Sequence, residues 1–97
     1  MLKQAQEMSG RMESMADELR SKRATGAAGA GMVEIDVNGL SEVLACRIDP
    51  SLLEQNDREL LEDLLVGAAN QALLKAKQLH ADAIKNLAGG MELPGLN

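Results

Sequence analysis

Apolar residues recur along the first twenty positions of the chain at alternating spacings of four and three. The residues that follow this pattern are Met1, Ala5, Met8, Met12, Met15 and Leu19. Such spacing places side chains on one face of a helix, so the pattern predicts an amphipathic helix over residues 1–22. We interpret its methionines as packing residues, because thioether side chains adapt to irregular surfaces.

A different periodicity follows, in which Val33, Ile35 and Val37 alternate with acidic residues before Asn38-Gly39. Strict alternation predicts a half-buried strand, and Asn-Gly favours a two-residue type I′ turn. We therefore predict a hairpin over residues 31–49. In the expected register Val37 pairs with Leu40, Ile35 with Glu42 and Val33 with Leu44, which would bury Cys46 on the apolar face.

The helical period returns in the second half of the chain. Asn56 followed by Glu59 resembles a capping box, and Gly89-Gly90 is a typical helix end, so we predict a helix over residues 56–88 and a mobile tail over residues 89–97. The seam of this helix contains Leu65, Ala69, Ala72, Ala76, Leu79 and Ala83.

Both predicted helices are longer than the small sheet could cover, at about 30 and 45 Å. The chain of 97 residues is one domain, and it contains no Phe, Tyr or Trp to enlarge its core. Small domains without aromatic residues bury little apolar surface on their own. We therefore expect a homodimer.

Charge is distributed unevenly along the chain, whose net charge is −5. Residues 1–31 carry five basic and four acidic groups, and residues 64–97 carry three and two. Residues 32–63 carry two basic and nine acidic groups. The net charge therefore does not exclude a polyanionic partner for the helices.

The residues needed for catalysis or for a metal centre are scarce. The chain has one histidine, His80, and one cysteine, Cys46, too few for a structural zinc site within one chain. The carboxylates near Glu59 suit a helix amino terminus. We therefore expect no enzyme activity, no cofactor and no metal. The single cysteine fits a reducing, cytoplasmic setting, and no segment is apolar enough to predict a membrane span.

Proteins that bind single strands stack bases on Phe, Tyr or Trp, and this chain has none of them, so any DNA binding should be to duplex, through its phosphates. The candidate DNA-binding residues are Lys3, Arg11, Arg20, Lys22, Arg23, Lys75, Lys77 and Lys85. Their alternative role is to form solvated helix faces in which lysine and arginine pair with acidic neighbours.

Five segments in order resemble the YbaB/EbfC family of bacterial nucleoid-associated proteins. They are "LKQAQEMSGRM", "TGAAGAGMVEIDVNG", "IDPSLLE", "LEDLLVGAANQAL" and "GGMELPG". The resemblance implies an α+β fold in the order α-β-β-β-α, with an extra short strand over residues 23–27. It also implies a tweezer-like homodimer in the nucleoid that binds duplex DNA with little sequence specificity and affects nucleoid organisation and gene expression.

A second class of function fits the same sequence. The methionine-rich helix face and the acidic middle of the chain could together bind a partner protein, which would make the chain an interaction adaptor. Phosphate neutralisation gives a steep dependence of affinity on salt, and this property separates the two hypotheses.

Overall fold

The computed structural model describes residues 2–89 and, within them, all side chains except those of residues 2–5, 8 and 87–89. The expected tail lies outside the described residues beyond Gly89. The described elements are α1 (Leu2–Ser21), β1 (Arg23–Ala28), β2 (Val33–Asn38), β3 (Val43–Ile48), α2 (Pro50–Glu54) and α3 (Arg58–Gly89). The predicted α+β class and the α-β-β-β-α order are confirmed, and the short helix α2 is an addition to them.

The three strands form one antiparallel sheet in the order β1-β2-β3. The predicted hairpin register is wrong, because Val37 pairs with Val43 and Ile35 pairs with Cys46. Within β3, a bulge opposite Asp36 and Val37 shifts the pairing by one residue. The connection between β2 and β3 consists of residues 39–42 and is longer than the two residues expected, so different residues pair.

The connection is organised by the Asn38 side chain, which is buried at the end of β2. Its Oδ1 accepts from the backbone N–H groups of Leu40 and Glu42, both at 3.0 Å. Its Nδ2 donates to the Glu42 carboxylate at 2.7 Å. The left-handed backbone expected at Asn38-Gly39 occurs instead at Ser41, with φ of 64°. Asn38 thus acts through its side chain rather than by adopting a positive φ.

Two aspartates begin the helices that follow the sheet. Asp49 caps α2 by accepting from Ser51 N at 2.9 Å, and Pro50 occupies the first turn, where its fixed φ suits a helix. Asp57 caps α3 by accepting from Leu60 N at 3.1 Å. The capping box predicted at Asn56 is therefore wrong, since Asn56 has a φ of 54° and belongs to the turn before the cap.

The core lies between α3 and the sheet strands β1 and β2. The buried apolar residues of this core are Val33, Ile35, Val37, Leu52, Ala68, Ala72 and Ala76. The alanines allow α3 to approach the sheet so closely that a Cβ at Gly26 would overlap Ala68 O and Ala72 N. Contact between helix and strand backbones therefore replaces the large side chains that this chain lacks.

Helix α1 is attached to the sheet mainly at its carboxyl end. Leu19 is fully buried, whereas Met12 is 56% exposed and Met15 is half-buried. The Leu19 carbonyl accepts from Gly39 N at 2.8 Å, and the Leu19 side chain leaves no room for a Cβ at Gly39. The rest of the described helix extends away from the core, and the chain measures 62 × 29 × 16 Å.

Strand β3 is exposed along almost its whole length, because α3 packs over the other two strands. Val43 is 61% exposed. The expected burial of Cys46 is wrong, since this residue is exposed. Its side chain shares a face with Ile35, but no helix of the described protomer covers that part of the face.

The close contact at Gly26 predicts a large effect of a single methyl group. Gly26→Ala should lower the free energy of unfolding by about 2–4 kcal/mol, because helix and strand backbones must separate. Gly10→Ala is the matched control. Nothing lies near its added Cβ, so it should stabilise α1 by about 0.5–1 kcal/mol. Urea unfolding at one protein concentration measures both, and equal effects would contradict the close packing.

Candidate nucleic-acid interface

The predicted basic residues lie on α1, at the start of β1 and on α3. Lys3 belongs to α1, and its side chain is among those not described. Arg11 and Arg20 are exposed on α1, Lys22 is half-buried between α1 and β1, and Arg23 is the exposed first residue of β1. Lys75, Lys77 and Lys85 are exposed along α3.

Two of these cations already pair with acids on α1. The Arg20 guanidinium lies 2.9 Å from the Asp17 carboxylate, and Lys22 Nζ lies 3.9 Å from Glu18. Exposed ion pairs of this kind each contribute only about 0–1 kcal/mol to the free energy of unfolding. A phosphate could therefore replace either carboxylate at small cost.

A groove of about 670 Å³ separates the middle of α1 from the end of α3. Arg11 and Lys22 line its α1 wall, together with Glu7 and Glu18. The α3 wall carries Ala83 and Asn86. Two predicted cations thus line the same groove, but each has an acid close by in the sequence, so the groove has no strong positive charge.

Lys75 has a structural partner. Its ammonium donates to the Thr25 carbonyl at 2.7 Å, and Gln71, one turn earlier, accepts from Ala27 N at 2.7 Å. These two bonds occupy the outer edge of β1. Lys75 therefore holds α3 on the sheet, a role that the sequence pattern did not suggest.

Lys77 faces the other side of α3 from Lys75. It lies in a cleft of about 420 Å³ between α3 and the β2–β3 connection, whose lining residues are Gly39, Leu40, Ser41, Leu73, Lys77 and His80. The side chains of Lys77 and His80 both line this cleft. The cleft places the Leu73 side of α3 toward the connection that leads into β3.

The face of the sheet opposite α3 carries a network of charges. Arg47 donates two hydrogen bonds to the Asp36 carboxylate, at 2.6 and 2.8 Å, and a longer one to Glu34. Thr25 also donates to Asp36 at 2.8 Å. The hydrogen bonds from Arg47 and then from Thr25 lower the pKa of Asp36 from 3.8 to about 2. Because Arg47 is neutralised by these acids, its guanidinium offers phosphates little free positive charge.

The cations outside ion pairs have a consistent location. Among the described side chains, Arg11, Arg23, Lys77 and Lys85 form no salt bridge, whereas Arg47 and Arg58 do. The acidic residues of the middle segment gather on the outer sheet face and near the start of α3. Free positive charge therefore lies on α1, at the start of β1 and on the second half of α3.

Metal ligands and membrane-spanning helices are two further features by which the described residues can be characterised. Within residues 2–89 no cluster of three His, Cys, Asp or Glu residues has the geometry to hold a metal ion. Over the same residues no helix combines the length and hydropathy required to cross a membrane.

Comparison with known proteins identifies relatives along nearly the whole chain. The sequence profile of the YbaB/EbfC DNA-binding family matches residues 1–91. Nucleoid-associated protein DP1429 of Desulfotalea psychrophila is 42% identical over 96 residues, covering 99% of this chain and 91% of the relative. Nucleoid-associated protein TTE0040 of Caldanaerobacter subterraneus is 40% identical, with 99% and 86% covered.

A solved structure has the same fold. The crystal structure of uncharacterized protein HP0035 from Helicobacter pylori aligns with a TM-score of 0.66 and 30% identity. The alignment covers 91% of this chain and 98% of the other.

The Asp36 network predicts a specific dependence of stability on pH. Because folding lowers the pKa of Asp36 from 3.8 to about 2, the network contributes its full stability above the higher value and loses it as the pH falls to the lower one. In the Asp36→Asn variant the free energy of unfolding should therefore decrease less steeply as the pH is lowered from 3.8 to about 2. Chemical denaturation across this range measures the change.

Glu13→Gln provides the control for the Asp36 variant, because it removes the same charge at an exposed position of α1. This variant should reproduce the parental pH dependence. Parallel curves for the parent and Asp36→Asn would contradict the role of the network.

Proposed function

We propose that this chain, which belongs to the YbaB/EbfC DNA-binding family, binds duplex DNA as a homodimer through phosphate contacts, with little sequence specificity. Its relatives are named nucleoid-associated proteins, and we extend the nucleoid location to this chain. There the protein would act in the cytoplasm on nucleoid organisation and gene expression.

The observation that carries the proposal is the location of free positive charge. Arg11, Arg23, Lys77 and Lys85 are exposed on the helices and at the start of β1, whereas Arg47 is held by Asp36 and Glu34. Phosphates gain from cations that have no other partner, and the release of counterions drives such binding. DNA should therefore contact the helices and the start of β1 rather than the Arg47 network of the sheet.

The chemistry of these groups also supports low specificity. Lysine and arginine side chains that neutralise phosphates position a protein on DNA but carry no sequence information. The chain has no Phe, Tyr or Trp, the side chains on which proteins that bind single strands stack unpaired bases. Duplex DNA of any sequence is the partner that fits.

The shape of the protomer supports the homodimer. Its radius of gyration is 18.6 Å, whereas a compact chain of this length has about 12–13 Å. Val43 and Val66 are 61% and 60% exposed, and Met12 lies exposed on the extended part of α1. Such a protomer buries too little apolar surface to be stable by itself, and a second copy would bury more of it.

The alternative is a protein-interaction adaptor that uses the apolar face of α1. The exposure of Met12 favours this hypothesis, because methionine surfaces accommodate varied partners. Such a partner would bind mainly through apolar contacts, so its affinity would depend weakly on salt, unlike that of DNA.

Removal of single charges tests DNA binding. Arg11→Gln and Lys85→Gln should each weaken binding to unrelated duplexes by a similar factor, because phosphates are common to all of them. Each should also reduce the slope of log affinity against log salt by about 0.9 if one phosphate contact is lost. Electrophoretic mobility shifts over a salt series provide both quantities.

Arg58→Gln is the matched control, since it removes one positive charge from the acidic start of α3, where Arg58 pairs with Glu62 at 2.7 Å. Its affinity and salt slope should equal those of the parent. If the two test variants also bind as the parent does, the helices do not hold the phosphates and the adaptor hypothesis gains support.

Sedimentation equilibrium tests the homodimer. At low micromolar concentration the protein should have twice the chain mass of 10.3 kDa, because a separate protomer leaves β3 and much of α1 unpacked. A folded species of one chain mass at this concentration would disprove the proposed assembly.

A further inference from the structure

Asn38-Gly39 is the single Asn-Gly sequence of the chain, and this dipeptide is chemically reactive. The glycine nitrogen can attack the side-chain carbonyl carbon of the asparagine, because glycine has no Cβ to hinder the approach. A C–N bond forms as the glycine nitrogen loses its proton, a succinimide ring closes, and the amide nitrogen leaves as ammonia. Water then opens the ring to aspartate or isoaspartate, so the overall reaction is hydrolysis of the amide.

The nucleophile of this reaction is restrained by α1. Gly39 N donates to the Leu19 carbonyl at 2.8 Å, and the same carbonyl accepts from Lys22 N at 3.2 Å. It belongs to the last turn of α1, where helix carbonyls have no acceptor role left within the helix. The Gly39 N–H must therefore break a hydrogen bond to α1 before it can lose its proton and attack.

The electrophile is restrained by the connection between β2 and β3. The Asn38 side chain is 1% exposed. Its Oδ1 accepts from the backbone N–H groups of Leu40 and Glu42, and its Nδ2 donates to the Glu42 carboxylate. These three bonds hold the amide in one orientation, and its burial excludes the water that the second step consumes.

The attachment of α1 is the weaker of these two restraints. Among the described side chains of α1, Leu19 is the one that is fully buried, whereas Met12 is 56% exposed. Segments with few buried apolar contacts open locally without unfolding of the whole domain. Release of the end of α1 would free Gly39 N while α3 stays packed on the sheet.

We propose that Asn38 is a latent deamidation site, which the docked end of α1 keeps inactive and which local release of α1 exposes. The reaction requires no enzyme and no co-reactant other than water. Its products are not reversed when α1 docks again. The inference is independent of DNA binding and of assembly.

Both products would weaken the attachment that protects the site. An aspartate at position 38 replaces the Nδ2 donor by a carboxylate oxygen at hydrogen-bond distance from the Glu42 carboxylate, and like charges this close repel each other. Isoaspartate adds one methylene group to the main chain, which displaces Gly39 from the Leu19 carbonyl. Conversion is therefore a one-way change in how α1 is held.

Mass spectrometry of the tryptic peptide 24–47 measures the reaction, because Asn38 is the only residue with an amide side chain in that peptide. In mildly alkaline buffer the parent should convert at least about tenfold more slowly than in concentrated urea, where both restraints are lost. The native rate should exceed the product of the unfolded fraction and the urea rate, since local release precedes global unfolding. A native rate equal to that product would overturn the role of local release.

Leu19→Ala tests the role of α1 in the folded protein. It removes the anchoring side chain and should accelerate conversion at least about tenfold. Leu52→Ala is the matched control, because Leu52 is 1% exposed and belongs to α2, which follows the end of β3 that pairs with Val33, far from Asn38 along β2. Equal acceleration in the two variants, both shown to be folded by circular dichroism, would contradict protection by α1.

A pair of surface variants tests the second restraint and stays informative if a leucine variant does not fold. Glu42→Ala removes the acceptor of the Asn38 amide and should accelerate conversion severalfold, because a hydrogen bond to a charged group is lost. Glu59→Ala removes an exposed carboxylate from the first turn of α3 and should convert at the parental rate. A Glu42→Ala protein that converts no faster than Glu59→Ala would disprove that the connection restrains Asn38.

Discussion

The architecture depends on how closely α3 can approach β1. Ala68, Ala72 and Ala76 are all fully buried, and Gly26 has no room for a side chain because the backbone of α3 lies against it. In most small domains large aromatic residues supply much of the buried area. Here small residues allow extensive contact between a helix and a strand, so packing density compensates in part for the small size of each side chain.

This close contact has a geometric cost, because a helix seated on β1 and β2 cannot also cover β3. Gln71 and Lys75 extend the contact around the β1 edge, which holds α3 further toward that side. Within residues 2–89 the β1 edge is consequently covered by helix side chains, whereas β3 is exposed. The same residues that complete the core thus leave β3 exposed in the described part of the chain.

Properties that arise from local spacing could be predicted from the sequence, and those that arise from distant contacts could not. Helical and alternating periodicities revealed the two long helices and the acidic strand β2. The predicted two-residue turn at Asn38-Gly39 was wrong: the Asn38 side chain organises a longer connection, and Gly39 N donates to the carbonyl of Leu19, twenty residues away. No local pattern contains that information.

The candidate site shows the same limit. The sequence identified which residues are basic, but the partners of Lys75 and Arg47 depend on the tertiary structure. Lys75 resembles an ordinary surface lysine until the fold places it beside the Thr25 carbonyl. Cys46 was expected to be buried because its face of β3 was correctly considered apolar, but the extent of α3 coverage cannot be inferred from periodicity alone.

The distribution of ion pairs explains how an acidic protein could bind a polyanion. Arg47 forms two short hydrogen bonds with Asp36, which is only 15% exposed, and such paired charges are costly to separate. Arg20 and Asp17 are both more than half exposed, so their pairing is weak and readily exchanged. The cations near α1 are therefore free to exchange partners, whereas Arg47 on the sheet stays paired with Asp36. What matters for a DNA partner is the exchangeability of each ion pair rather than the net charge, and this favours contact along the helices.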